Sequence, residues 1–259
     1  MDSFFLLIAS VLLCATTYAQ PNFIPDLNLR IYLNQLQEGY VDEDGYVVDP
    51  TINIGPLSIY CVPEESPMDL TGLGYVTCSS LTLHNSPGSS FGQFPSFPRF
   101  TPGPERYARF EDFIGEHIPP LPQHLDFFWV WNPVEIGSWS VEGYPGDTLT
   151  HVELSAFPAS IPMPTIVNNV TLDLAGWPHT SAPPMGDGVA VLYISGGEIT
   201  NLELTSLALD DLFIWTCENL SSISFGPGLD TMNILSIESA PTLNIIDDLP
   251  VIRNELYLN

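Results

Sequence analysis

Two carboxylate pairs, Asp210-Asp211 and Asp247-Asp248, are the residues of this 259-residue chain best suited by type to share acid and base work on a glycosidic bond. They fall at turn-like places between strand signals, where aspartate more often caps backbone N–H groups in solvent. His151-Val152-Glu153 is the nearest approach to a metal or base cluster, and a lone His beside a strand reads as structural. The five histidines, His84, His117, His124, His151 and His179, show no metal-ligand spacing, and no HExxH, GxSxG or SxxK motif occurs. The chain has no Lys, which removes a phosphate-loop lysine and any lysine Schiff base. In the acidic run Asp42-Glu43-Asp44-Gly45, placing Gly45 at the sixth position of a calcium loop puts Tyr40 first and Thr51 last, so two ligand positions fail. Asp44-Gly45 is instead a hairpin turn signal. These residues point away from catalysis and require no cofactor or metal.

A short strand signal recurs as Val152-Glu153-Leu154, Leu172-Asp173-Leu174, Leu192-Tyr193-Ile194, Leu212-Phe213-Ile214, Leu235-Ser236-Ile237 and Leu256-Tyr257-Leu258, in steps of 20, 20, 20, 23 and 21 residues. A fixed period of this size is the signature of a solenoid. Leu81-Thr82-Leu83 and Phe128-Trp129-Val130 extend it upstream, 47 residues apart, about two coils. The segment 86–119 between them is rich in Pro, Gly and Phe and reads as one degenerate coil near Arg106 to Phe110 plus an irregular excursion on the convex side. Side chains alternate along a strand, so the flanking positions face the core and the middle one faces outward. The outward positions are Thr82, Trp129, Glu153, Asp173, Tyr193, Phe213, Ser236 and Tyr257, and two residues further on come His84, Trp131, Ser155, Ala175, Ser195, Trp215 and Glu238. Stacked coils set Trp129, Trp131, Tyr193, Phe213 and Trp215 into an aromatic surface with acidic gaps at Glu153 and Asp173 and with Tyr257 at its far end. Such a patch marks an interaction surface for a protein or for sugar rings.

Residues 1–19 read as a signal peptide, from the short apolar run Phe4 to Leu13 and the small-residue site Thr17-Tyr18-Ala19. Residues 20–56 read as an N-terminal cap. Asp26 caps a helix whose apolar face is Leu29, Tyr32, Leu33 and Leu36, and a hairpin follows between Tyr40-Val41 and Tyr46-Val47-Val48. Residues 57–259 form the solenoid, and 25 Pro with 19 Gly argue against long helices. Five Lys and Arg against 31 Asp and Glu give a formal charge of -26, which repels nucleic acid and anionic lipid surfaces. No second long apolar stretch implies membrane insertion. Three cysteines follow the signal peptide. Cys61 and Cys78, 17 residues apart, are a candidate disulfide between neighbouring coils, and Cys217 reads as a small buried residue. Asn169-Val170-Thr171 and Asn219-Leu220-Ser221 match the glycosylation pattern, which matters only in a eukaryotic host.

The run Asp69-Leu70-Thr71-Gly72-Leu73-Gly74-Tyr75-Val76-Thr77-Cys78-Ser79-Ser80-Leu81-Thr82-Leu83-His84-Asn85 resembles the LTGxxxxxxLxxLxLxxN repeat of exported leucine-rich-repeat surface proteins of the Bacteroidota. Phe23 to Leu33 resembles their IPDxNLxxYL cap, and Ile118 to Leu125 their LPxLPxxL linkers. The resemblance implies a right-handed leucine-rich-repeat solenoid with one curved parallel β-sheet, a mostly irregular convex side and a short N-terminal capping helix. It also implies secretion or display at the cell surface. The chain departs from the pattern because the asparagine after the strand is present at Asn85, Asn132 and Asn259 but missing from most other coils, and no sorting domain is visible. Asn259 lies inside a repeat signal, so the chain reads as the front part of a longer protein. The expected function is a non-enzymatic exported module that binds a protein or glycan in adhesion or surface recognition. The alternatives are a targeting module of a larger secreted carbohydrate-active enzyme and a structural spacer.

Overall fold

A computed structural model describes residues 22–103, 106–122, 125–138, 149–156, 170–183, 189–205 and 208–259. Residues 1–19, read above as a signal peptide, and His124 and Asn169 lie outside these residues. Helix α1 (Leu27–Leu36) starts where expected, because Asp26 Oδ1 accepts the Leu29 N–H at 3.0 Å and satisfies one orphan donor of the first turn. Leu29 and Leu33 are buried, whereas Leu36 points to solvent. The hairpin closes at Gly45, which takes a left-handed φ of +96° and whose N–H donates to the Asp42 carbonyl. Asp42 Oδ1 accepts the Tyr46 N–H at 2.7 Å, so this acidic residue serves the turn.

The first strands along the chain are β1 (Pro56–Cys61), β2 (Thr77–Cys78), β3 (Ser80–Asn85), β4 (Arg99–Phe100), β5 (Tyr107–Glu111) and β6 (Ile114–His117). Next come β7 (Phe127–Trp131), β8 (Glu135–Ser138), β9 (His151–Ser155), β10 (Val170–Ala175), β11 (Val189–Ser195) and β12 (Asn201–Leu204). The last are β13 (Asp211–Trp215), β14 (Ser222–Phe225), β15 (Thr231–Glu238), β16 (Ile245–Asp247) and β17 (Val251–Leu258). Ten of these form one long parallel sheet in the order β1-β3-β5-β7-β9-β10-β11-β13-β15-β17. Each neighbour is the next coil of a β-solenoid, as the period predicts.

Two inward rows make the core. One runs from Leu57 through Leu81, Ala108, Phe128, Val152, Leu172, Leu192 and Leu212 to Leu235, and the other from Ile59 through Phe110 and Leu174 to Ile237. All of these are buried. Full burial of such a side chain contributes about 1.5–3 kcal/mol, so stacking coils is what stabilises each of them. The rows end at β17, where Leu256 and Leu258 are about half exposed. The degenerate coil is β5, and its small Ala108 is matched by an aromatic cluster in which Phe94, Phe97 and Phe113 pack edge-on or tilted around Phe110. The segment 86–119 therefore contributes to the core through its phenylalanines, with Phe91, Phe94, Phe97, Phe100 and Phe113 buried.

The convex side differs from the expected irregular backbone. It carries three short parallel sheets, β2-β4, β6-β8 and β12-β14-β16. Buried Leu202, Leu204, Ile223 and Phe225 alternate with exposed or half-buried neighbours there, so these segments are strands for the same reason the long sheet is. The coil after each strand of the long sheet from β5 to β15 turns through a left-handed residue: Asp112, Asn132, Ala156, Gly176, Gly196, Thr216 and Ser239 all have φ between +48° and +66°. Each of their N–H groups donates to a carbonyl of the next coil, at 2.7–3.1 Å. Only two of the seven are glycine, so this shared corner has no residue signature in the chain.

Cys61, Cys78 and Cys217 are buried free thiols, and the Cys61–Cys78 pair is not formed. Spacing alone misjudges the geometry. Cys61 ends β1 and faces Asn85 of the next coil, whereas Cys78 lies on β2 in a different sheet and faces Phe100. Among the described residues, no helix is long and apolar enough to cross a membrane.

Candidate functional site

The outward face of the long sheet is a set of register rows. The central one runs Ser58, Thr82, Arg109, Trp129, Glu153, Asp173, Tyr193, Phe213, Ser236, Tyr257. Trp129, Glu153, Asp173, Tyr193, Phe213 and Tyr257 thus stand in one line, as the alternation predicts. Trp131 and Trp215 belong to the adjoining row with Tyr60, His84 and Glu111. Sequence reasoning missed Tyr107, Arg109 and Glu111, because Ala108-Arg109-Phe110 lacks the Leu-x-Leu signature, and it did not place Phe127 and His151, one row earlier, on this face. Apolar residues two apart, Ala108 and Phe110, were the available signal for β5.

Adjacent coils bring the aromatic rings face to face. Tyr193 and Phe213 stack with centroids 4.7 Å apart and planes 8° apart, and Trp215 packs on both at 5.4 and 5.7 Å. Tyr60 stacks on His84 at 4.1 Å. Trp129 is wedged between Tyr107 at 5.2 Å and Phe127 at 5.7 Å. Much of each ring face is therefore consumed by its neighbour along the sheet, and the Tyr193–Phe213 stack presents ring edges outward. Tyr60, Trp131 and Tyr257 stay open to solvent, at 57 %, 49 % and 42 % exposed.

Charge is arranged beside Trp131. Arg109 Nε forms an ion pair with Glu111 Oε1 at 2.5 Å, and its guanidinium lies over the Trp131 ring, 5.2 Å from the centroid. His84 Nδ1 lies 3.1 Å from Glu111 Oε2. Across the row, Glu153 Oε1 accepts the Ser155 hydroxyl at 2.9 Å. No cationic side chain pairs with Glu153 or Asp173 among the described residues. Burial, with the neighbouring Glu153 charge adding to it, pushes the Asp173 carboxyl up to about 6. Burial holds His151 below the ordinary imidazole value, and Glu153 opposes this. Arg109, Trp129, Trp131 and Glu153 line a cleft of about 170 Å³. Among the described residues, the buried Trp129 indole N–H has no hydrogen-bond partner.

The catalytic candidates do not converge. Asp211 opens β13 and accepts from the Asn233 side chain at 3.0 Å, while Asp247 ends β16 on the convex side. Among the described residues, no group of three or more His, Cys, Asp or Glu is placed to hold a metal ion. Asn219 is exposed and donates to Glu198 Oε2 at 3.0 Å. Comparisons with protein-family models, curated proteins and solved structures give no match to this chain.

Proposed function

We propose that this chain is a non-enzymatic, exported β-solenoid module of the leucine-rich-repeat type that captures a glycan or protein on the outward face of its long sheet, in adhesion or surface recognition. One observation carries the reading. A single register row sets Trp129, Glu153, Asp173, Tyr193, Phe213 and Tyr257 in line, so a rigid backbone displays aromatic and acidic groups at the roughly 4.8 Å spacing of the sheet. A solenoid spacer has no need of exposed aromatic rings, and patches of this kind favour contact with a partner. The leucine-rich-repeat type is supported by Asn85, whose buried Oδ1 accepts the Ile114 N–H at 3.0 Å at the end of a strand. Export is supported by the apolar run from Phe4 to Leu13. The test is a screen of the purified chain against glycan and extracellular-protein arrays. The Trp129→Ala, Tyr193→Ala, Phe213→Ala triple variant should lose capture while keeping its strand signal by circular dichroism. Unchanged capture by the triple variant would sink the reading.

A further inference from the structure

We infer that the cleft between Arg109, Trp129, Trp131 and Glu153 is a subsite for one neutral sugar ring, which makes a glycan the ligand of the outward face. This rests on that face being a binding surface. The cleft's volume, about 170 Å³, is below the roughly 300–1,000 Å³ of pockets that take drug-sized ligands and equals the liquid volume of about five or six waters. It therefore admits one ring or one side chain.

The charges on its walls exclude most alternatives. A carboxylate or phosphate would meet Glu153, the adjacent Asp173 and a chain of formal charge -26. A lysine or arginine side chain from a partner would meet the Arg109 guanidinium, which is fixed on the opposite wall by Glu111 at 2.5 Å and by the Trp131 ring. A ligand that is neutral, yet both donates and accepts, uses both walls. Glu153 has one carboxylate oxygen engaged by Ser155 and further acceptor capacity for a ring hydroxyl. Arg109 is held by its Nε ion pair with Glu111 and has terminal N–H donors for a second hydroxyl. The C–H face of a pyranose then packs on the exposed Trp131 indole, the ring of this site least covered by neighbours. Aliphatic and aromatic ligands satisfy the indole but desolvate the Glu153 carboxylate and the terminal N–H groups of Arg109 without offering either a hydrogen bond. Stacked Tyr193 and Phe213, three and four rungs from Trp129, stand outside the cleft.

The experiment is calorimetric titration of the full chain with glucose, galactose and mannose, with glucuronate, and with a short oligolysine peptide. The structure predicts saturable binding of at least one neutral hexose and none of the other two probes. Glu153→Gln and Arg109→Met should each weaken it about tenfold to a hundredfold, the range of one hydrogen bond to a charged group. Glu203→Gln, exposed on the convex strand β12, should leave hexose binding unchanged, with melting temperature measured for every variant. Preference for glucuronate or oligolysine, or hexose binding indifferent to both cleft variants, overturns the cleft assignment. Hexose binding kept in both cleft variants but lost in Tyr193→Ala with Phe213→Ala would do the same while leaving the outward face as the binding surface. Absence of binding to every probe, together with an empty array screen, would remove both.

Discussion

Asp173→Asn should stabilise the protein at neutral pH and leave it unchanged in acid. The folded Asp173 carboxyl titrates at about 6, against an ordinary 3.8, because it is half-buried and stands one rung from Glu153. At about 1.36 kcal/mol per pH unit, that difference is a ceiling of roughly 3 kcal/mol against the charged native state. Asp173 remains partly solvated, and solvent screening brings the expected value to about 1–1.5 kcal/mol. Coulomb's law agrees in scale: two charges about 4.8 Å apart repel by about 1 kcal/mol in water and about 3.5 kcal/mol at an effective dielectric of 20. The sign follows from linkage. A carboxyl raised in the folded state binds its proton more tightly there, so its contribution is fully favourable below about 3.8 and is lost as pH rises through about 6. Urea unfolding followed by tryptophan fluorescence at pH 3.5, 5, 6 and 7.5 should therefore show parent and variant converging at the acid end. The advantage of the variant should open between roughly pH 4 and 6, then level off. Glu153→Gln should narrow the same window, because it removes the second cause of the shift. A difference that does not change with pH, or a variant less stable than the parent at pH 7.5, would refute this account.

Thr216 is exposed and β-branched at φ +51°, so Thr216→Gly should raise stability by about 0.5–1 kcal/mol in thermal melts, and a loss would show that the corner is not strained there. Asp26 holds two backbone donors, Leu29 N–H at 3.0 Å through Oδ1 and Asp69 N–H at 2.9 Å through Oδ2. Asp26→Ala should therefore cost about 2–4 kcal/mol, more than a helix cap alone, and a loss under about 1 kcal/mol would mean that the bridge to the first repeat contributes nothing. Burial pushes the Cys78 thiol up to about 12 and that of Cys217 to about 11, so neither should react with iodoacetamide at pH 8 until urea is added. A peptide map showing a Cys61–Cys78 disulfide in the folded protein would overturn the placement of these residues in separate sheets.

The parts of the fold that were legible are those carried by local pattern. Leu-x-Leu triplets at a period near 20 place their flanking residues in the core, and the Asp26 cap and the Asp44-Gly45 turn act within a few residues of themselves. The left-handed corner was not legible, because Asp, Asn, Ala, Thr and Ser occupy it alongside two glycines, and the hydrogen bond that holds it runs to another coil. The convex strands were hidden for a similar reason: segments such as Asn201–Leu204 are only four residues long. β5 was seen as a degenerate coil without its outward residues, since Ala108 fills an inward position only because Phe110 and its aromatic neighbours fill the space around it.

For the candidate site the division is sharper. The alternation of side chains along a strand is a local steric fact, so sequence by itself determined that Trp129, Glu153, Asp173, Tyr193 and Phe213 leave the core on one side. Only tertiary structure decided what each meets there. Coils some 20 residues apart are brought into register by packing of the inward rows and by backbone bonds between coils. That register stacks Tyr193 on Phe213 so that they cover each other, and sets Arg109 over Trp131, opposite Glu153. Contact between residues this distant depends on the summed burial of whole rows, which no short stretch of sequence contains.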